Sequence, residues 1–88
     1  MSSSAIKEVS ATGDVTVVDT YLREVILTAT SDTATLVLRA GGSGGEVKLR
    51  VSAVANTSRP VTLHGSLFSD GVHATFTGTT PSATLVYG

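Results

Sequence analysis

Cysteine and tryptophan are absent from this sequence of 88 residues, and aromatic and charged side chains are scarce. Without cysteine the chain can form neither a disulfide framework nor a thiolate zinc site. Charged residues make up 15% of the chain, compared with about 25% in an average soluble domain. The net charge is -1 at pH 7. We therefore expect no nucleic-acid partner, because phosphate binding needs a clustered cationic surface.

Long apolar runs and a leader pattern are missing as well. No stretch approaches the roughly 18 apolar residues of a membrane span, and residues 1–4 lack the basic and apolar regions of a signal peptide. We therefore expect no membrane partner, and synthesis in a cytoplasm without export by the general secretory route.

The length is enough for one domain over residues 1–88 and excludes an enzyme with a separate cofactor domain. A domain of this size usually needs disulfides, a structural metal or oligomerisation to be stable. Since the disulfide is excluded and a metal is poorly supported, the sequence predicts self-association.

Polar and apolar residues alternate along most of the chain, and many of them are β-branched, which is typical of strands with one buried face. The clearest hairpin spans residues 34–55, where two alternating runs flank the glycine-rich connector 41–45. Turn compositions separate further predicted strands at 6–11, 15–18, 22–30, 61–64, 72–77 and 83–87. Seven or eight strands without a helical segment predict an all-β, single-domain antiparallel β-sandwich, jelly-roll-like rather than immunoglobulin-like.

Two motifs suggest enzyme chemistry, and both have simpler interpretations. The connector 41–45 is rich enough in glycine for a phosphate cradle, but such loops lead into a helix, whereas a strand is predicted here. Ser, His and Asp all occur, but there is no Gly-x-Ser-x-Gly elbow, and Asp70 lies only three residues before His73. We interpret Asp70 as a turn residue and predict a non-enzymatic protein without catalytic residues.

His64 and His73 are also candidate metal ligands, but two ligands do not make a site unless a three-fold axis brings one histidine from each subunit together. Both alternate with apolar neighbours, so we interpret them as outward-facing polar residues and predict no metal and no cofactor.

A sugar platform would require exposed aromatic rings. The chain has four, at Tyr21, Phe68, Phe76 and Tyr87, and Phe76 alternates with the core face. A small-ligand or glycan-binding module is nevertheless the alternative function, and exposed Tyr21 and Tyr87 beside a groove would favour it.

Two aliphatic residues lie on strand faces that alternation assigns to solvent, Ile26 and Val37. Such residues on two strands are typical of a subunit contact, so we predict an interface that includes Ile26, Val37, Tyr21 and Tyr87. Residues 1–11 are polar at first and weakly patterned, and are predicted to form an N-terminal arm that pairs with a strand edge.

Five stretches between residues 20 and 87 carry a combination of motifs. They contain Leu-x-x-Val-x-Leu-Thr-Ala at 22–29, Thr-Leu-x-Leu-Arg at 35–39, Gly-Gly-Ser-Gly at 41–44, Thr-Gly-Thr at 77–79 and a closing strand at 83–87. In this combination the chain resembles small all-β virion proteins of tailed bacteriophages. The resemblance implies an accessory particle component, either a capsid decoration protein or a neck or tail adaptor. It would be located in the virion, associate with itself, preferably as a trimer, and dock on the major capsid protein or a neck or tail protein.

Overall fold

The structure is a computed structural model that describes residues 5–88. Eight strands follow one another in the order β1 (Ala5–Val9), β2 (Gly13–Asp14), β3 (Thr20–Thr28), β4 (Ala34–Ala40), β5 (Glu46–Ala53), β6 (Ser58–Phe68), β7 (Val72–Thr77) and β8 (Ser82–Tyr87). They form two antiparallel four-stranded sheets packed as a sandwich. Sheet A has the order β1-β8-β3-β6 and sheet B the order β2-β7-β4-β5. The predicted all-β sandwich is confirmed, and each sheet interleaves early and late strands as a jelly roll does.

The core between the sheets is aliphatic apart from one ring. Inward-facing residues come from alternate positions of the strands, as the period of two requires. The largest fully buried side chains are Phe68, Leu22, Leu27, Leu36, Leu38, Leu85, Val25 and Val72. Burying these side chains supplies most of the driving force for folding.

The predicted hairpin 34–55 is confirmed. Ala40 pairs with Glu46, so the connector is the five-residue loop 41–45. Leu36 and Leu38 face inward, and Arg39 faces outward, as the alternation predicts. Local sequence is sufficient here because both strands and their turn lie within one contiguous stretch.

The second predicted strand is wrong in its position. Residues 15–18 are not a strand, and β2 comprises only Gly13 and Asp14. Val15 is buried, whereas Val17 and Val18 are 73% and 66% exposed on the loop to β3. The β-branched residues favour a strand, but the chain must cross from sheet B to sheet A at this point.

The strand predicted at residues 61–64 is too short, because β6 starts at Ser58 and ends at Phe68. Pro60 fits since β6 is an edge strand, where one side of the backbone needs no partner. Further along β6, residues 63–65 lie opposite the single residue Arg23 of β3, and His64 and Gly65 have positive φ. Arg23 is also the extra residue of β3 where Leu22 pairs with Tyr87 and Glu24 with Val86 of β8, so Arg23 is exposed and Leu22 is fully buried.

Loops gather at the two ends of the sandwich. The glycine end contains loops 15–19, 41–45 and 69–71, where the Gly41 N–H donates to Gly71 O at 3.1 Å. The threonine end contains loops 10–12, 29–33, 54–57 and 78–81, held by bonds such as Thr79 N–H to Asp32 Oδ1 at 2.7 Å. In sheet A, Ala5 pairs with Tyr87 at the glycine end.

Candidate interaction surfaces

Two of the predicted interface residues, Ile26 and Val37, lie on opposite sides of the sandwich. Ile26 of β3 is half-buried on the outer face of sheet A, between its pairing partners Thr84 and Pro60. Val37 of β4 is half-buried on the outer face of sheet B, opposite Arg50 of β5. A single flat contact between two copies therefore covers one of these residues on each copy, not both.

The two predicted tyrosines also separate. Tyr21 lies between the buried residues Thr20 and Leu22, so it points away from the core, and it is 51% exposed. Tyr87 is partly buried and packs against the core between the sheets. Tyr21 thus shares an outer face with Ile26, while Tyr87 faces the other way.

The outer face of sheet A, called face A below, is the more apolar of the two. Tyr21 pairs with Leu67, which is 43% exposed, and Ile6 pairs with Val86 and is 72% exposed. Diagonal neighbours on adjacent strands lie within reach of large side chains, so these residues and Ile26 form one surface. Ile6 and Leu67 were missed from the sequence, because residues 6–11 are weakly patterned and the bulge in β6 shifts the alternation before Leu67.

Face A also carries carboxylates. Glu8 of β1 pairs with Thr84, and Glu24 of β3 pairs with Val86, so both point outward beside the apolar residues. Neither carboxylate forms an ion pair within residues 5–88. The cation nearest to Glu24 in sequence, Arg23, is exposed in the bulge, and Lys7 beside Glu8 points inward.

The outer face of sheet B, called face B below, has guanidinium groups around one aliphatic residue. Arg50 lies directly opposite Val37, and Arg39 lies two residues further along β4. Neither arginine forms an ion pair in the described part of the chain. At the β5 edge, the Lys48 ammonium hydrogen-bonds the Glu46 carboxylate at 2.8 Å and lowers the pKa of that carboxyl.

Each of the four edge strands has a feature that disfavours pairing with another chain. β1 turns Lys7 inward, opposite the buried Leu85, and its Nζ donates to Val15 O at 3.2 Å. β2 is only two residues long, β5 carries three charged side chains, and β6 contains Pro60 and the bulge. These are recognised protections against edge-to-edge association. Affinity between copies should therefore come from faces or ends rather than from strand edges.

The predicted N-terminal arm, residues 1–11, is described only from residue 5. Ala5–Val9 forms β1 and pairs with β8 of its own chain. Residues 1–4 of the arm lie outside the described residues. Binding of a partner strand by this segment is still a prediction.

The two histidines lie in different sheets. His73 of β7 is on face B but is only 8% exposed, and its Nδ1 lies 2.8 Å from Asp14 Oδ1. Asp70 is in a turn, as predicted, and its N–H donates to Asp19 Oδ1 rather than to a group of His73. His64 is exposed at the β6 bulge. Among residues 5–88, no three His, Asp or Glu side chains are grouped to hold a metal ion.

A cleft of about 250 Å³ opens at the threonine end. It is lined by Thr33, Ser52, Ala53, Val54, Thr57, Ser58 and Arg59. Its chemistry is a guanidinium beside hydroxyl groups and two small apolar side chains. Neither Tyr21 nor Tyr87 lines this cleft, so the tyrosine-flanked groove expected for a glycan site is not formed here.

No family model, curated protein or solved structure matches this chain. In the described range 5–88, no helix is long and apolar enough to cross a membrane.

Proposed function

We propose that this protein is a non-enzymatic structural protein of a bacteriophage particle, made in the host cytoplasm and located in the virion. It associates with itself as a trimer or ring, the trimer being preferred. It docks on the major capsid protein, or on a neck or tail protein, as a decoration or accessory component. The observation that carries the proposal is the jelly-roll strand order, which viral capsid domains also use.

A strand order alone does not assign a function, so the exposed surfaces must also be suited to the proposed role. Face A exposes Ile6, Tyr21 and Leu67 on one side of a small domain. Contiguous exposed apolar residues rimmed by polar ones are typical of protein–protein contact sites. A flat apolar face is suited to another protein surface rather than to a small molecule, which needs a concave site.

The test is the composition of purified phage particles. Virions banded on a density gradient should contain this protein, measured by quantitative mass spectrometry against the major capsid protein. A host cytoplasmic protein of similar size serves as the control for carry-over. A copy number in proportion to the capsid protein indicates decoration, and a small number matching a ring indicates the neck or tail. Absence from washed particles contradicts the proposal.

The alternative function, a small-ligand or glycan-binding module, is favoured by one observation. Arg59 forms no ion pair within residues 5–88 and lines the cleft beside Ser52 and Thr57. Titration of the labelled protein with a panel of neutral and acidic sugars, followed by NMR, tests this function. Saturable shifts confined to residues 33 and 52–59, lost in Arg59→Ala, would support the binding module over the particle component.

A further inference from the structure

We propose that copies of this chain associate through two different surfaces, with face A of one copy packed on face B of the next. The inference rests on the self-association in the proposed function and adds its geometry. This contact does not depend on whether the protein lies in the head, neck or tail of a particle.

The charges of the two faces differ. Face A presents the carboxylates Glu8 and Glu24, which form no ion pair within residues 5–88, and the exposed Arg23 is adjacent to Glu24 in sequence. Face B presents the guanidinium groups of Arg39 and Arg50, together with the Asp14 carboxylate, which is bonded to His73. A two-fold contact of face B with itself would bring four guanidinium groups together, and face A with itself would gather four carboxylates. Like charges across an interface cost several kcal/mol, whereas face A on face B brings opposite charges together.

Each face has an aliphatic residue near its middle. Ile26 lies on β3 and Val37 on β4, and both strands are interior to their sheets. Each residue is half-buried in the single chain, Ile26 between Thr84 and Pro60, and Val37 between Arg50 and Thr75. An apolar centre with a polar rim is the usual composition of an interface, and sheets that pack face to face bury such a centre.

The charged residues lie at matching distances from the aliphatic residues of the two faces. Glu24 precedes Ile26 by two residues, and Arg39 follows Val37 by two residues, a distance of about 6.8 Å in each strand. Arg50 flanks Val37 on the neighbouring strand. When Ile26 sits over Val37, the Glu24 carboxylate therefore comes within reach of one of the two guanidinium groups.

A contact of this kind leaves a free face A on one copy and a free face B on the other, so the contact repeats. The result is a ring if successive rotations close, and an open stack if they do not. The protected strand edges remove the competing route of edge-to-edge pairing.

The experiment uses charge reversal on each face. In Glu24→Arg and in Arg50→Glu, the dissociation constant for self-association should rise by about tenfold or more, because like charges then face each other. The double variant E24R/R50E should recover the association of the original chain, since the reversed pair is again complementary. Analytical ultracentrifugation over a concentration series measures every sample, and circular dichroism confirms that each is folded.

Arg59→Glu is the matched control for Arg50→Glu. It makes the same charge change at the exposed cleft, away from both faces. It should leave association unchanged. If Glu24→Arg weakens association while neither Arg50→Glu nor Arg39→Glu does, or if combining Glu24→Arg with either arginine reversal fails to restore association, the two-surface contact is overturned although self-association stands. If the original chain stays at 8.9 kDa at every concentration, self-association itself is overturned.

Discussion

The Nδ1 atom of His73 lies 2.8 Å from Oδ1 of Asp14, and this bond ties the two-residue strand β2 to β7. Side chains continue the pairing at both ends of β2. Thr12 Oγ1 accepts from the Phe76 N–H at 3.1 Å, and Thr16 Oγ1 accepts from the Val72 N–H at 3.1 Å. At this edge of sheet B, three polar side chains therefore add to the backbone bond that the Val15 N–H donates to Val72 O at 2.8 Å.

Removal of this bond should cost more stability than its position at an edge implies. Asp14→Ala leaves the imidazole of a residue that is only 8% exposed without its partner, which we expect to lower the free energy of unfolding by about 1–3 kcal/mol. Urea denaturation measures the change. Lys48→Ala breaks an exposed ion pair and serves as the control, with a smaller expected loss because solvent screens the pair. Equal losses in the two variants would show that His73 tolerates the loss of its partner.

Gly71 should not accept a side chain. Its φ is 108°, and an added Cβ would lie 2.3 Å from Thr16 O, where the loops of the glycine end meet. Gly71→Ala should destabilise the fold by at least about 2 kcal/mol. Gly44→Ala is the control, because nothing lies within 4 Å of its Cβ position, and its stability should change by less than about 1 kcal/mol. Thermal unfolding of both variants compares them, and a Gly71→Ala protein as stable as the control contradicts the close approach.

The Glu46 carboxyl should titrate below its ordinary value of 4.5, because Lys48 hydrogen-bonds and attracts its charged form and so lowers its pKa. A folded-state pKa below the unfolded one means that the pair contributes stability above the unfolded pKa and loses it as the pH falls through the folded pKa. NMR titration of the carboxyl carbon measures the value directly. In Lys48→Ala the midpoint should move up, and an unchanged midpoint would exclude Lys48 as the cause.

Self-association should resist salt. Charge is sparse and the proposed contact has apolar centres, so a rise to roughly 1 M salt, where the Debye length is about 3 Å, should change the dissociation constant by less than about tenfold. Light scattering after size exclusion should give a multiple of 8.9 kDa at both low and high salt. Complete dissociation by salt would indicate that ion pairs, not apolar burial, hold the copies together.

Local patterns predicted the hairpin 34–55 and β7 because each depends on neighbouring residues. Ser58–Pro60 have a turn composition but belong to β6, since Pro60 in a strand is acceptable at an edge, and edge position is set by the tertiary fold. The exposure of Arg23 likewise follows from the irregular pairing of β3 with β6 and β8, more than thirty residues away. In both places the pairing partner is distant in sequence.

Prediction of the candidate surfaces was also limited by tertiary structure that the alternation pattern does not report. Alternation placed Ile26 and Val37 correctly on outward sides of their strands, but it carries no information on which sheet a strand joins. That Ile26 belongs to face A and Val37 to face B follows from the strand order. The partner of His73 was missed for a related reason, because Asp14 lies 59 residues earlier in the chain.

The pairing of Ala5 with Tyr87 makes the chain suitable for circular permutation. Paired residues on antiparallel strands have Cα atoms about 5 Å apart, so a short linker would join position 5 to Gly88 and close the backbone at the glycine end. New ends could then be opened in the exposed loop 54–57 at the opposite end of the sandwich. A peptide fused there would project from the threonine end, away from faces A and B. An ordered array of copies would then display it on a shared outer surface.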